Sequence, residues 1–206
     1  MLAVDAIVYV RTALPEPPAR VLEVGAGSGE LAGVLRGLGY DVLAIDPAST
    51  VPDVRPVALH DLEEEPGSFD ATVAMLSLHH VEPLPASCST LANLVRPGGC
   101  LVIDEFDVAA FDQRAARWWC TQRAASGHAE HHEPPEVAAR LREHLHALSR
   151  IQAELSPYFV FGQPIRGAYL YRWDLDPGLR DVEERAIAAG QLPATGARLV
   201  GLRKGG

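Results

Sequence analysis

Apolar and polar positions alternate differently in the two halves of the chain. Between residues 20 and 106, short β-branched apolar runs are separated by segments whose apolar residues recur at helical spacing. Arg20 to Val24 predicts a first strand closed by Gly25-Ala26-Gly27-Ser28-Gly29, after which Leu31, Val34, Leu35 and Leu38 predict a helix. Gly37 and Gly39 end that helix, and Tyr40 to Ile45 predicts a second strand closing on Asp46. A weaker third strand is expected over Val54 to Leu59, ending at His60-Asp61. Ala71 to Leu76 predicts a fourth, followed by a helix with Leu84, Cys88, Leu91 and Val95 on one face. Arg96-Pro97-Gly98-Gly99 reads as the turn into a fifth strand, Cys100 to Phe106, apolar enough to be buried on both faces.

Strands alternating with crossover helices imply an α/β fold with a parallel sheet, which binds its ligand at the carboxyl ends of the strands. The functional face is therefore expected in the turns after residues 24, 45, 59, 76 and 106.

Past residue 106 the pattern is more helical and more aromatic. A helix is expected over residues 109 to 126, carrying Trp118-Trp119, then a polar break from Gly127 to Pro135. One helix with Val137, Leu141, Leu145 and Leu148 on its apolar face follows. Leu155 to Phe161 and Ala168 to Trp173 read as extended, Pro177 to Gly190 as helical, and Arg198 to Leu202 as a last strand. A leading helix ends at the breaker Pro15-Glu16-Pro17-Pro18.

Composition narrows the function classes. A chain of 206 residues that is 48% hydrophobic is long enough for one domain with a modest insertion. A formal charge of -9 disfavours a phosphate backbone as partner, because nucleic-acid affinity rests on Lys and Arg that displace counterions. Cys88, Cys100 and Cys120 are too widely spaced for a disulfide framework or a paired zinc motif, and read as reduced packing residues. No run approaches the roughly 20 apolar residues of a membrane span, and the N-terminus lacks a basic leader, so a cytoplasmic protein is expected.

A glycine-rich turn after a first strand is shared by many nucleotide folds, and its neighbours sharpen it here. Glu23 precedes the first glycine, where a carboxylate would repel a pyrophosphate and favour a cationic ligand. The spacing Gly-x-Gly-x-Gly brings the third glycine one position earlier than the dinucleotide fingerprint. Asp46 closes the second strand, placed to accept hydrogen bonds from ribose hydroxyls.

These residues resemble the class I S-adenosylmethionine-dependent methyltransferases of small-molecule type. The motifs that match in order are Val21 to Gly29, Ala44-Ile45-Asp46, Asp61-Leu62, Phe69-Asp70 with Ser77 to Val81, and Leu94 to Val102. The resemblance implies a Rossmann-like, seven-stranded, mostly parallel sheet with helices on both faces. It also implies one domain over residues 1–206, with a cofactor core at 20–106 and an acceptor-binding cap at 107–175. The implied cofactor is S-adenosyl-L-methionine. Glu23, Gly25, Ala26, Gly27 and Gly29 would line its methionine end, Asp46 would hold the ribose, Pro47 would flank the adenine, Asp61 and Leu62 would meet its amino edge, and Leu76 and Ser77 would lie beside the sulfonium. Asp46 and Asp61 also suit a plain helix cap. The reaction implied is methyl transfer to oxygen or nitrogen of a small-molecule acceptor, with neither nucleic acid nor membrane as partner. The alternative is a cofactor-binding protein of the same fold that does not methylate; a nicotinamide oxidoreductase fits the glycine spacing less well.

Methyl transfer is an in-line displacement that needs alignment, and a base where the acceptor is a hydroxyl. His79 of the His79-His80 pair, after the fourth strand, is a candidate base that could equally shape its turn. His131 is the second candidate, within a segment whose His128, His131 and His132 would share one side of a helix. Gly127 and Pro134-Pro135 favour a loop there, which leaves a plain solvated loop, a substrate cap or a metal site open; His128 and His132 are the candidate substrate contacts with Trp118 and Tyr169, and no metal ligand is assigned. Asp104 and Glu105 end the fifth strand, near an acceptor or simply in a turn.

Overall fold

A computed structural model describes residues 4–127 and 133–205. Its elements run α1 (Val4–Ala13), β1 (Arg20–Val24), α2 (Glu30–Gly37), β2 (Asp41–Ile45), β3 (Phe69–Met75), α3 (Leu84–Leu94), β4 (Val95–Phe106), α4 (Gln113–Ala125), α5 (Pro134–His144), α6 (Leu148–Leu155), β5 (Phe159–Phe161), β6 (Ile165–Gly167), α7 (Arg180–Ala188) and β7 (Gly196–Arg203). The sheet has seven strands in the order β2-β1-β3-β4-β7-β5, with β6 also pairing β7. β1 pairs in parallel with β2 and β3, β3 in parallel with β4, and β5 antiparallel with β7.

Two compact units emerge, one of residues 1–105, 149–163 and 198–206, the other of residues 106–148 and 164–197. In the first, Val21, Val42, Ala44, Ala71, Val73, Cys100 and Val102 face Ala6 and Val10 of α1 and Leu31, Ala32 and Leu35 of α2 in one core. Their neighbours along the strands, Leu22, Val24, Ala74, Leu101 and Ile103, are buried too, so the central strands are covered on both faces. In the second unit Phe106, Phe111, Ala115, Ala116, Trp119, Val137 and Leu170 form a separate core. Trp173 stacks on Trp119 at 4.1 Å between ring centroids, and the Trp119 indole N–H donates to the Trp173 carbonyl at 3.0 Å.

Four elements differ from the reading of the sequence. The third strand does not form: Pro52 and Pro56 remove ladder donors, leaving a single bridge between Ile45 and Arg55 and a 3-10 turn at Leu59–Asp61. Leu145 and Leu148 do not continue the helix of Val137, because α5 stops at His144 and the Asp107 carboxylate accepts the Leu148 N–H at 3.4 Å where α6 begins. Residues 168 to 173 are not extended. The buried Glu183 carboxylate accepts three successive amides, Tyr169, Leu170 and Tyr171, at 2.8 to 2.9 Å, which curls the chain into a 3-10 turn. Arg96 to Gly99 belongs to β4 itself, across a register shift, and a Cβ on Gly99 would stand 2.7 Å from the Asp70 carbonyl.

Candidate functional site

The turn after β1 depends on glycine. Gly25, Gly27 and Gly29 have φ of 72°, 50° and 72°, a region costly for residues with a Cβ. The N–H groups of Gly25 and Ala26 both donate to the Ile45 carbonyl, at 2.9 and 3.0 Å, joining the turn to the end of β2. A Cβ on Gly25 would lie 2.3 Å from Ser77 Cβ, whereas one on Gly27 would meet nothing within 4 Å. The first glycine is thus needed for packing, and the space beside the third residue of the turn stays open.

Asp46 ties the two turns together. Its Oδ2 accepts the Gly27 N–H at 2.9 Å, its Oδ1 accepts the Ala48 N–H at 2.9 Å, and Ser49 Oγ donates to the Gly27 carbonyl at 3.1 Å. Each carboxylate oxygen keeps a second lone pair for a ligand.

A strained backbone follows β3. Leu76 adopts φ 55°, rare for a bulky side chain, with its N–H on the Asp104 carbonyl at 2.8 Å. Glu105, fully buried, holds the next residues: its Oε1 accepts the N–H groups of Ser77 and Leu78 at 2.9 and 2.6 Å, and its Oε2 bonds His79 Nδ1. An ionised carboxylate has acceptor sites for all three contacts, with the imidazole then donating through Nδ1. His79 is buried, and its ring lies 4.3 Å from that of the exposed His80.

These turns enclose a cavity of about 350 Å³ at the carboxyl ends of β1, β2 and β3. Of the residues singled out in the sequence, Gly25, Asp46, Pro47, Leu76 and Ser77 line it. His80 lines it as well, whereas His79 is bonded to Glu105 behind the wall. Val57, Ala58 and Leu59 line it because that segment runs as an irregular turn and not as the expected strand. Asp61 lies outside the lining, exposed and 3.4 Å from His60 Nε2, and Leu62 is buried next to it. Ala26 is buried, and Gly29 caps α2.

Glu23 stands apart from the cavity wall, 4% exposed, with Oε2 lacking a hydrogen-bond partner. Desolvation pushes its carboxyl up from 4.5 to about 7. Trp118 and Tyr169 belong to the second unit: Trp118 lines a separate cavity there, and Tyr169 stacks on Phe106 at 4.7 Å. His128, His131 and His132 lie outside the described residues. Among the described residues no three His, Cys, Asp or Glu side chains are grouped to hold a metal ion. No described helix is long and apolar enough to cross a membrane.

Comparison with known proteins identifies the family. A family model for a methyltransferase domain matches residues 4–144. A ubiquinone biosynthesis O-methyltransferase of Xanthomonas campestris is 38% identical over 112 residues, 46% of this chain and 46% of that protein. The chain therefore spans about half the length of the curated relatives it matches. In fold it is similar to an S-adenosylmethionine dependent methyltransferase from Mesorhizobium loti, with TM-score 0.62, 17% identity and coverage of 97% and 96% of the two chains. It is also similar to the 1,6-didemethyltoxoflavin-N1-methyltransferase of Burkholderia thailandensis, solved with 1,6-didemethyltoxoflavin and S-adenosylhomocysteine, with TM-score 0.57, 16% identity and coverage of 97% and 76%. With the match extending over most of its length and the seven-stranded sheet in place, this chain belongs to the methyltransferase domain family.

Proposed function

We propose that the chain binds S-adenosyl-L-methionine in the cavity of its first unit and transfers the methyl group to a small-molecule acceptor. The observation that carries this reading is the Asp46 carboxylate, fixed across the β1 and β2 turns on a cavity of about 350 Å³, within the usual size of small-molecule sites. The residues present fit the cofactor. Asp46 has acceptor capacity left for a ribose diol, Pro47 and the apolar Ala58 and Leu59 offer a slot for a flat base, and the open space beside Gly27 lets a ligand approach the backbone. Bound there, the cofactor supplies an already activated methyl carbon.

The chain's own contribution is alignment and the exclusion of water. The Leu76-Ser77 wall, held by Glu105, keeps its shape before any ligand arrives, and so does the Gly25 turn packed on Ser77. His80, on the cavity wall, is the imidazole placed to contact a ligand or take a proton, a role the sequence reading gave to His79. Residues of the second unit, Trp118 and Tyr169 among them, belong to the proposed acceptor-binding cap. One relative is an O-methyltransferase of ubiquinone biosynthesis and a structural neighbour is solved with 1,6-didemethyltoxoflavin, which supports a small organic acceptor in place of a nucleic acid. A thermal-shift series tests the reading: S-adenosylmethionine and S-adenosylhomocysteine at saturation raise the melting temperature by mass action, and NAD does not. A shift with NAD alone would reverse the assignment.

A further inference from the structure

The second unit contains a groove of about 670 Å³, separate from the cavity proposed for the cofactor. Two helices form it. α4 contributes Arg114, Arg117, Trp118 and Thr121, spaced three, four and seven residues apart and so on one face. α7 contributes Val182, Arg185 and Ala186, and its C-cap Ala189 continues the same spacing.

The charge of this groove opposes that of the chain. The protein carries -9 overall, yet the lining contains three arginines and no carboxylate. Arg114 is already engaged, its Nε on Asp112 Oδ2 at 2.8 Å and its Nη1 on the Gly190 carbonyl at 3.1 Å. Arg117 and Arg185 are exposed and have no side-chain partner among the described residues, so two guanidinium groups remain for a ligand. Between them the lining is mostly apolar, with the half-buried Trp118 indole, Val182, Ala186 and Leu192, and Thr121 and Gln191 are its neutral polar members.

We propose that this groove binds a small organic anion, a carboxylate or phosphate on a planar apolar body. Paired guanidiniums favour anionic oxygens through charge-assisted bonds, and both guanidinium and indole faces accept a flat ring. A hydrophobic ligand without charge would leave the arginines unanswered, and a bare inorganic ion would leave the apolar floor wet.

The probe is 1-naphthoate, with naphthalene-1-methanol as its neutral counterpart, followed by the indole N–H resonance of Trp118 in the whole chain. Saturable binding of naphthoate below about 1 mM is expected for a ligand of this size. The alcohol should bind at least about tenfold more weakly, and Arg117→Ala and Arg185→Ala should each weaken naphthoate about tenfold or more. Both residues are exposed, so the variants should keep the wild-type melting temperature. Equal affinity for acid and alcohol, or no effect of either variant, would overturn the proposal. So would failure to saturate by about 10 mM, or tighter binding of a tetraglutamate peptide than of naphthoate, which would make the groove a protein-docking surface. None of these outcomes depends on whether the first unit binds S-adenosylmethionine.

Discussion

Glu105 and His79 form a buried pair at the carboxyl end of the sheet: the carboxylate of β4 holds the imidazole that follows β3 through Oε2 while its Oε1 holds the Ser77 and Leu78 amides. A carboxylate inside an apolar strand is costly unless its lone pairs are met, and here three donors meet them. The pair joins neighbouring parallel strands where the cavity wall is made.

Glu105→Ala should therefore leave two buried amides without acceptors and lower the unfolding free energy by about 2 to 5 kcal/mol. Glu105→Gln keeps an oxygen for both amides and turns its NH₂ toward an imidazole that can accept by changing tautomer, so it should lose less than half as much. Urea denaturation of the two variants measures the difference, and S-adenosylhomocysteine titration of the Gln variant shows whether the wall is kept. Equal losses would mean that the two amides are not what the carboxylate stabilises.

Glu23 gives stability a pH dependence. Its carboxyl, raised from 4.5 to about 7 by burial, binds a proton more tightly in the folded chain than in the unfolded one. Its contribution is then full below pH 4.5 and is lost as pH rises through 7, by on the order of 3 kcal/mol at most, from about 1.4 kcal/mol per pKa unit. Glu23→Gln, which cannot ionise, should lack this decline, so the difference in unfolding free energy between variant and wild type should grow from pH 4.5 to 7. A constant difference would show that Glu23 ionises normally.

Much of this site is visible in the chain because strand ends and glycine turns are local features. The Gly25 to Gly29 turn, Asp46 at the end of β2, and Leu76-Ser77 after β3 each follow a run of apolar residues whose periodicity marks where it stops. The pairing of Glu105 with residues 77 to 79 could not be read this way, since it joins positions about 27 apart through a parallel register that only the sheet defines. The choice between His79 and His80 is hidden for the same reason: adjacent imidazoles diverge, and Glu105 decides which is buried. Asp61 stands outside the cavity lining: the strand expected before it gives way to an irregular turn that contains Pro56, and its carboxylate meets His60. Glu183 carries no signal of its own in the sequence, since it falls in a segment read only as helical, yet it organises an aromatic segment 12 to 14 residues away.

Asp46 should separate ligand binding from folding. Asp46→Asn keeps an acceptor for one backbone amide and removes the charge, while Asp46→Ala removes both, yet Asp46 lies at the end of β2 and leaves the strand ladder intact. The Ala variant should weaken S-adenosylhomocysteine by about tenfold to a hundredfold with less than about 1.5 kcal/mol lost from stability, and Asn should fall between it and wild type. Calorimetric titration beside urea denaturation reads both quantities. A loss of stability with unchanged affinity would reduce Asp46 to a turn residue.

Gly25 and Gly27 share a left-handed backbone but should fail differently when given a side chain. At Gly25 the added Cβ meets Ser77 Cβ at 2.3 Å, backed by a wall that Glu105 holds, so neither partner can retreat cheaply. Gly25→Ala should destabilise the chain by about 3 kcal/mol or more through overlap added to strain, and binding should fall with it. At Gly27 the Cβ would enter open space, leaving only the cost of φ 50°, about 1 kcal/mol. That open space is the proposed approach of the ligand to the turn, so Gly27→Val should keep most of the fold while weakening S-adenosylhomocysteine at least about tenfold by steric exclusion. Melting curves and titrations of the two variants should thus rank in opposite orders, with Gly25→Ala the less stable and Gly27→Val impaired in binding out of proportion to its stability. If Gly27→Val bound as wild type, the ligand would not pass over this turn, and the cavity would have to be entered from the side of Val57 to Leu59.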